Sequence, residues 1–317
     1  MARRRKTAES NITTVTENGL TWFNVVRPTR ATLGELKRQF PYFLDIDLQD
    51  CLPPFQRPKL LERPEYLFLV MLFPVYDPTT GRIRSSEVDF FIGKDFVLTS
   101  HNGELGVLND FAAQSREHLD NSACLIAVDG SPARWLYNVL HGLFISCFPL
   151  LTRIGNEITN IEPELGKLEK QTVKDILRLR SNIVDFRKTM QGHMMVVKKF
   201  MERAPKHLSM DGLTAYYDDI LGHAKEIWDF LDNDRETINA IYDSHVSFLE
   251  LETNAATKTL TALAFIVFPM TLVATVFGMN AKNMPVIGHQ YDFWIIMSFI
   301  SLMMFCVALY IKRKKWL

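Results

Sequence analysis

The clearest hydrophobic pattern in this chain is a pair of uncharged apolar runs near its C-terminus. They extend from Thr259 to Ala281 and from Phe293 to Ile311. Each run has the roughly 18 or more apolar residues that a membrane-spanning helix needs. The pattern therefore predicts two transmembrane helices, 259–281 and 293–311, an outer loop, 282–292, between them, and a surrounding lipid bilayer.

Charges next to these runs predict the orientation of the chain. Lys258 precedes the first run, the basic tail 312–317 follows the second, and the loop carries only Lys282 and Asp292. Basic residues favour the cytoplasmic side of a membrane. We therefore expect a multi-pass protein of the inner (plasma) membrane with both termini in the cytoplasm.

The N-terminal part of the chain has the pattern of a mixed α/β domain, 20–130, after a flexible basic N-terminus, 1–19. Thr32 and Glu35 have the spacing of a capping box, which predicts a short helix from Thr32 to Gln39. Aromatic and β-branched runs bounded by Pro, Gly or Asp predict strands. The predicted strands are Leu20–Val26, Tyr66–Tyr76, Val88–Gly93 and Asp95–His101.

Helical periodicity replaces this pattern at Pro132, which suits a first helical turn after Ser131. A helical hairpin, 131–212, is expected, with one long helix from Leu165 to Arg203. A stalk helix, 213–258, should then run without a break into the first span. About 65 residues at 1.5 Å each give a length on the order of 100 Å.

A three-four repeat of seam positions predicts that this stalk packs in a bundle. Asp234 and His245 interrupt the seam, and eleven acidic residues lie between Asp211 and Glu252 against only two basic ones. Such crowding of like charge costs stability unless cations or water neutralise it. The remaining seam positions are Ile220, Ala224, Ile227, Leu231, Ile238, Ile241, Phe248 and Glu252.

Composition limits the possible functions. The 36 basic and 36 acidic residues leave no net charge, which gives no support to bulk attraction to nucleic acid. The four cysteines are scattered, without CxxC spacing, as expected in a reduced cytoplasm. The sequence contains no GxGxxG, P-loop, GxSxG or HExxH motif, so no enzymatic activity is predicted.

One side of the predicted pore helix combines hydroxyl, amide and apolar side chains. Its positions are Asn254, Thr257, Leu260, Thr261, Ala264, Phe268, Thr271 and Thr275. A hydroxyl stripe in hydrocarbon serves either helix–helix hydrogen bonds or a wet path. Two spans cannot enclose a path, so conduction would require a symmetric oligomer. Neutral oxygens suit a cation that keeps its water, and Mg2+ dehydrates reluctantly.

Several motifs together resemble the CorA family of divalent-cation channels. Gly278-Met279-Asn280 closes the first span, Met284-Pro285 follows, and the chain ends in KRKKWL. The acidic stalk and QRPK at Gln56 to Lys59 extend the resemblance over nearly the whole chain. The triplet alone is a weak match, but at this position and with this tail it is specific.

The resemblance implies a fold and an assembly. It implies an α+β cytoplasmic domain followed by a long helical stalk and two transmembrane helices, in a funnel-shaped homopentamer. Asn280 would bind the hydrated cation at the outer mouth, with Gly278 and Met279 shaping the loop. The family's pore positions correspond to Asn254 and Thr271, and its hydrophobic gate positions to Thr257, Leu260 and Phe268.

The resemblance also implies closure by intracellular Mg2+ at subunit interfaces, where Asp50 of one subunit would face Asp219 of its neighbour. This chain departs from the family at three positions. Thr257 stands where a gate methionine is usual, Gln49 where an acidic residue is often found, and Lys282 where the outer loop commonly carries an acid. A ring of lysines would repel cations.

Three functional classes follow. The leading hypothesis is a passive, gated Mg2+ channel in which Mg2+ is both transported and regulatory. The alternative is a Zn2+ or Co2+/Ni2+ transporter of the ZntB type, with or without proton coupling. The third is a non-transporting scaffold tethered by two spans, which Asn280→Ala would leave unaffected.

Overall fold

The computed structural model describes residues 11–117, 130–161, 163, 170–279, 287–288 and 290–313. The chain divides into two compact units, Met1–Ile241 and Tyr242–Leu317. The first contains one sheet with helices on both faces, and the second contains the two apolar runs near the C-terminus.

The six-stranded sheet has the order β1-β2-β6-β5-β4-β3. Strands β2 and β6 are parallel, and all other neighbours are antiparallel. The strands are β1 (Ile12–Glu17), β2 (Leu20–Val26), β3 (Lys59–Glu62), β4 (Leu67–Asp77), β5 (Arg82–Ile92) and β6 (Phe96–His101). All four predicted strands are present, because their apolar runs are long enough to fill a sheet that is covered on both faces.

Three strands differ from the sequence prediction, and one of them, β3, was not predicted at all. Strand β1 lies within 1–19, where a flexible terminus was predicted, because its backbone pairs with β2 across the turn at Asn18 and Gly19. Its side chains are mostly polar and exposed, so the hydrophobic pattern gave no signal. Strand β5 begins six residues before Val88, since its first part alternates between exposed and buried positions along β4.

Helices α1 (Arg30–Gln39) and α2 (Asp45–Asp50) cover one face of the sheet. Stacked rings form the centre of this layer. The ring centroid of Phe43 lies 4.7 Å from that of Phe40 and 4.6 Å from that of Phe91. The predicted cap at Thr32 was wrong. Thr29 is the N-cap, because its extended backbone directs the hydroxyl to accept from the Thr32 N–H.

The opposite face is covered by further helices, among which α6 packs on β4 and β5, α4 on β6, and α7 on β3. Ser131 caps α4 and Pro132 occupies its first turn, as predicted. Trp22 of the sheet meets Trp135 of α4 with ring centroids 5.1 Å apart. The helices are α3 (Gly106–Glu117), α4 (Pro132–Ile145), α5 (Phe148–Ile161), α6 (Lys170–Met190) and α7 (His193–Arg203).

The prediction of one helix from Leu165 to Arg203 was wrong. Helix α6 ends at Met190 and α7 begins at His193, while 164–169 lie outside the described residues. Gly192 has φ 95°, a left-handed conformation that glycine adopts readily and that ends an α-helix. The predicted hairpin is therefore a group of separate shorter helices.

Helix α8 (Thr214–Phe277) is continuous through the predicted stalk and most of the first apolar run, with 64 residues and a length of about 100 Å. Its predicted seam is buried as far as His245. Asp234 in this seam is half-buried, and burial raises its pKa to about 6. The buried seam positions are Ile220, Ala224, Ile227, Leu231, Ile238, Ile241 and His245.

In the described part of the chain, three helical segments are long and apolar enough to cross a membrane: Pro132–Ile161, Thr214–Phe277 and Asp292–Tyr310. The first has 44% of its apolar window buried inside the protein, so nearly half of that window belongs to the domain core. The other two windows are 6% and 0% buried. These two windows coincide with the two predicted spans. The last segment, Asp292–Tyr310, belongs to helix α9 (Asp292–Arg313).

Candidate cation path and metal-ligating residues

The predicted pore-lining positions all lie on one side of helix α8. At about 100° per residue, they fall within an arc of about 120°. Asn254, Thr271 and Thr275 are exposed, whereas Ala262, on the other side of the helix, is fully buried. The arc therefore forms an open face about 32 Å long between Asn254 and Thr275 at 1.5 Å per residue.

The threonine hydroxyls on this face donate to their own helix. The Oγ1 atoms of Thr257, Thr261 and Thr271 bond the carbonyl oxygens four residues earlier, at 2.8–2.9 Å. Thr275 bonds the carbonyl of Leu272 at 2.9 Å. Because each hydroxyl hydrogen is engaged, the oxygen lone pairs remain as acceptors. The face can therefore accept hydrogen bonds from the water around a cation.

Large apolar side chains interrupt the hydroxyls. Leu260 is 67% exposed and Phe268 is 72% exposed, while Thr261 and Ala264 are partly covered. Bulky apolar rings and chains on a pore face form constrictions that exclude water when narrow. The face thus alternates acceptor oxygens with potential hydrophobic gates.

Helix α8 ends at Phe277, directly before the triplet Gly278-Met279-Asn280 of the sequence. Gly278 N–H donates to the Ala274 carbonyl at 3.0 Å, and Met279 N–H donates to Val276 at 3.3 Å. A Cβ at Gly278 would lie 3.1 Å from the Ala274 oxygen, a tight contact that disfavours a side chain here. Met279 is 61% exposed. Asn280, Lys282, Met284 and Pro285 lie outside the described residues.

Asp50, the predicted regulatory residue of the sheet domain, lies at the end of α2. Its carboxylate pairs with the Lys59 ammonium at 2.5 Å, and only 17% of its side chain is exposed. Lys59 belongs to the QRPK segment. A cation that binds Asp50 therefore competes with a partly buried ammonium group.

Two further carboxylates, Glu87 and Asp89, line a cavity of about 220 Å³ close to Asp50. Burial raises the pKa of Glu87 to about 7. The pKa of Asp89 is well above its ordinary value because of burial and the neighbouring Glu87 charge. Both shifts favour the protonated acids, so a cation that bound this pair would have to displace protons.

Asp219, the predicted regulatory residue of the stalk, lies between two imidazoles. Its Oδ2 atom is 3.5 Å from His223 Nε2 and 3.9 Å from His141 Nε2. The ligand atoms of these three residues all lie within 4.8 Å of one another. They form the one group of at least three His, Cys, Asp or Glu side chains, in the part of the chain described, that could hold a metal ion.

The sequence prediction included Asp219 but missed both histidines. Asp219 and His223 have i,i+4 spacing on α8, which places them on one side of the helix and was a usable signal. His141 lies on α4, and its place beside them follows from tertiary packing.

The chain matches the family model described as CorA-like Mg2+ transporter protein over residues 17–313. It is 26% identical, over 94% of this chain and 83% of the relative, to the cobalt/magnesium transport protein CorA of Thermotoga maritima. It is 23% identical to the zinc transport protein ZntB of Yersinia pseudotuberculosis, over 58% of this chain and 56% of that protein.

A solved structure of the complete CorA magnesium transporter from Methanocaldococcus jannaschii has the same fold. The TM-score is 0.80, with 94% of this chain and 92% of that chain covered. Sequence identity is 17%, so this likeness establishes the fold alone. The α/β domain, the long helix and the C-terminal helix therefore correspond to those of a CorA structure.

Proposed function

Because this chain belongs to the CorA-like Mg2+ transporter family, we propose that it is a passive, gated divalent-cation channel whose cargo is Mg2+. The observation that carries the proposal is the face of helix α8 between Asn254 and Thr275. Its threonine hydroxyls are engaged as donors and remain available as acceptors. Such a surface suits a cation that keeps its hydration water.

The conducting assembly is a homopentamer in the bilayer. Five copies of α8 line the pore, and α9 surrounds them, because a single pair of spans cannot enclose a path. Asn280 from each subunit contacts the hydrated cation at the outer mouth. Asn254 lies at the cytoplasmic end, and both chain termini are cytoplasmic.

The closed state depends on apolar constriction and on intracellular Mg2+. Leu260 and Phe268 narrow the pore enough to exclude water, with Thr257 beside them. Mg2+ bound between Asp50 of one subunit and Asp219 of the next holds the subunits together. When it leaves, the acidic stalk faces repel one another and the pore widens.

Flux into liposomes tests this function directly. Full-length protein should admit Mg2+ down its gradient, with entry that depends on the protein and ends when the gradient is gone. Confirmed insertion into tight vesicles without Mg2+ flux would refute the proposal.

A Zn2+, Co2+ or Ni2+ transporter is the second candidate. It is favoured by Lys282 and by the lack of a carboxylate in the outer loop before Asp292. Competition by these ions against Mg2+ flux, with and without a pH gradient, separates the two. Preferred Zn2+ flux that requires the pH gradient would support the second candidate.

A further inference from the structure

The group formed by His141, Asp219 and His223 is held by two helices that are locked together. Helix α4 supplies His141, and α8 supplies the other two. The Tyr217 hydroxyl donates to the Ala133 carbonyl at 2.7 Å, and Tyr217 is fully buried. This bond joins α8 to α4 two residues before Asp219, and the ring centroids of His141 and His223 lie 5.5 Å apart, so tertiary packing brings the three side chains together without an ion.

The distances suit a small metal ion. Ligands about 2.0–2.1 Å from a tetrahedral ion are about 3.3 Å apart. Asp219 Oδ2 is 3.5 Å from His223 Nε2 and 3.9 Å from His141 Nε2. The side chains are 20–50% exposed, so side-chain rotations can bring these two pairs of ligand atoms to that separation, and all the ligand atoms already lie within 4.8 Å of one another.

A carboxylate also lies near the second ring nitrogen of His223. Its Nδ1 lies 3.9 Å from Glu226 Oε2. Metal-bound histidines usually donate their other N–H to a carboxylate, which fixes the tautomer and orients the ring. Glu226 can therefore direct His223 Nε2 towards the ion.

We infer that His141, Asp219 and His223 form a regulatory site for a transition-metal ion such as Zn2+, complete within one protomer. Two imidazoles and one carboxylate suit Zn2+, Co2+ or Ni2+, and one open position remains for water. Mg2+ prefers six oxygens in octahedral geometry and seldom takes imidazole. The site thus differs in ligand type from a carboxylate site between two subunits, although it shares Asp219 with that site.

This inference rests on the proposed function for its consequence, because both sites use Asp219. A transition metal held by the two histidines occupies the carboxylate that intersubunit Mg2+ needs. The two ions then compete, and cytoplasmic Zn2+ raises the Mg2+ concentration required for closure. Channel activity becomes sensitive to a second class of metal.

Equilibrium binding to the full-length, tag-free protein tests the site. Zn2+ is measured by competition with a chromophoric chelator in detergent, in excess Mg2+. We expect one Zn2+ per protomer, and at least tenfold weaker binding in His141→Ala and His223→Ala. Visible absorption of bound Co2+, which reports the ligand geometry, should be lost in the same variants.

His207→Ala is the matched control, because His207 pairs with one carboxylate, Glu62 at 3.1 Å, without a second imidazole. It should bind Zn2+ as the original chain does. His141→Asp should weaken Zn2+ and strengthen Mg2+, since it exchanges nitrogen for oxygen. Unchanged Zn2+ affinity in both alanine variants, or no Zn2+ binding by the original chain, overturns the inference.

Binding and flux can fail separately. If the original chain conducts Mg2+ but does not bind Zn2+ at these three residues, only this inference is overturned. The predicted Zn2+ binding in a protein that conducts no divalent cation would overturn the proposed function.

Discussion

Replacing Lys59 by methionine should make the channel close at a lower cytoplasmic Mg2+ concentration. Lys59 neutralises Asp50 at 2.5 Å, and the two side chains are only 29% and 17% exposed. Methionine keeps an unbranched apolar chain near the Phe68 ring, which now lies 5.8 Å from the ammonium nitrogen. The substitution thus removes a competing charge with little change in packing.

The size of the effect follows from the bond that Mg2+ must displace. A hydrogen bond to a charged group contributes about 1.5–3 kcal/mol. We take the loss of this hydrogen bond to cost Mg2+ binding about half of the upper value, roughly 1.5 kcal/mol. Removing the lysine removes that cost, which raises the affinity for Mg2+ about tenfold. The half-closing Mg2+ concentration should therefore fall about tenfold.

Currents through inside-out membrane patches, with Mg2+ perfused over the cytoplasmic face, measure this concentration. Lys37→Met is the matched control, because Lys37 pairs with Asp45 at 3.1 Å in an exposed position. It should leave the half-closing concentration unchanged. An unchanged or higher value in Lys59→Met, with the control also unchanged, would refute the competition between Lys59 and Mg2+ at Asp50.

Three further predictions concern the pore face and the sheet domain. Thr271→Val should reduce Mg2+ flux at least about tenfold, because each subunit loses one hydrogen bond to water, at about 0.5–1.5 kcal/mol, and this loss is repeated around the pore. Thr271→Ser keeps the hydroxyl and should retain the flux. Equal Mg2+ flux through both variants would contradict this prediction. Arg63→Met should lower the thermal stability of the full chain. It removes the guanidinium 2.7 Å from the Asp47 carboxylate, whose side chain is 0% exposed, and leaving that buried charge without its ion pair costs about 3–5 kcal/mol. An unchanged melting temperature would count against this prediction. Burial raises the pKa of Glu87 to about 7, above the unfolded value of about 4.3, so this group's stabilisation is full below about pH 4 and lost as pH rises through about 7. Glu87→Gln should therefore raise the melting temperature more at about pH 8 than at about pH 6, and equal shifts would contradict the assignment.

The elements that the sequence predicted best are those with long and regular periodicity. The seam from Ile220 to Ile241 predicted the buried side of α8, since a helix with apolar residues at three-four spacing must bury that side. The alternating and continuous apolar runs predicted β2, β4 and β6 for a similar reason.

The missed features depend on backbone conformation or on distant packing. Gly192 ends α6 through its left-handed conformation, although the hydrophobic period continues across it. The hydroxyl of Thr29, rather than Thr32, caps α1 because of the extended backbone that precedes the helix. His141 lies beside Asp219 because α4 packs against α8, and the sequence gives no sign of this since the two residues are 78 positions apart.

Mg2+ flux through Asn280→Ala and Asn283→Ala channels tests the central claim most directly. Both substitutions remove one amide from the same part of the chain, but only Asn280 belongs to the triplet that closes the first span. In liposomes with equal protein insertion, Asn280→Ala should abolish the Mg2+ flux seen with the original chain, and Asn283→Ala should retain it. Undiminished Mg2+ flux through Asn280→Ala would contradict the account.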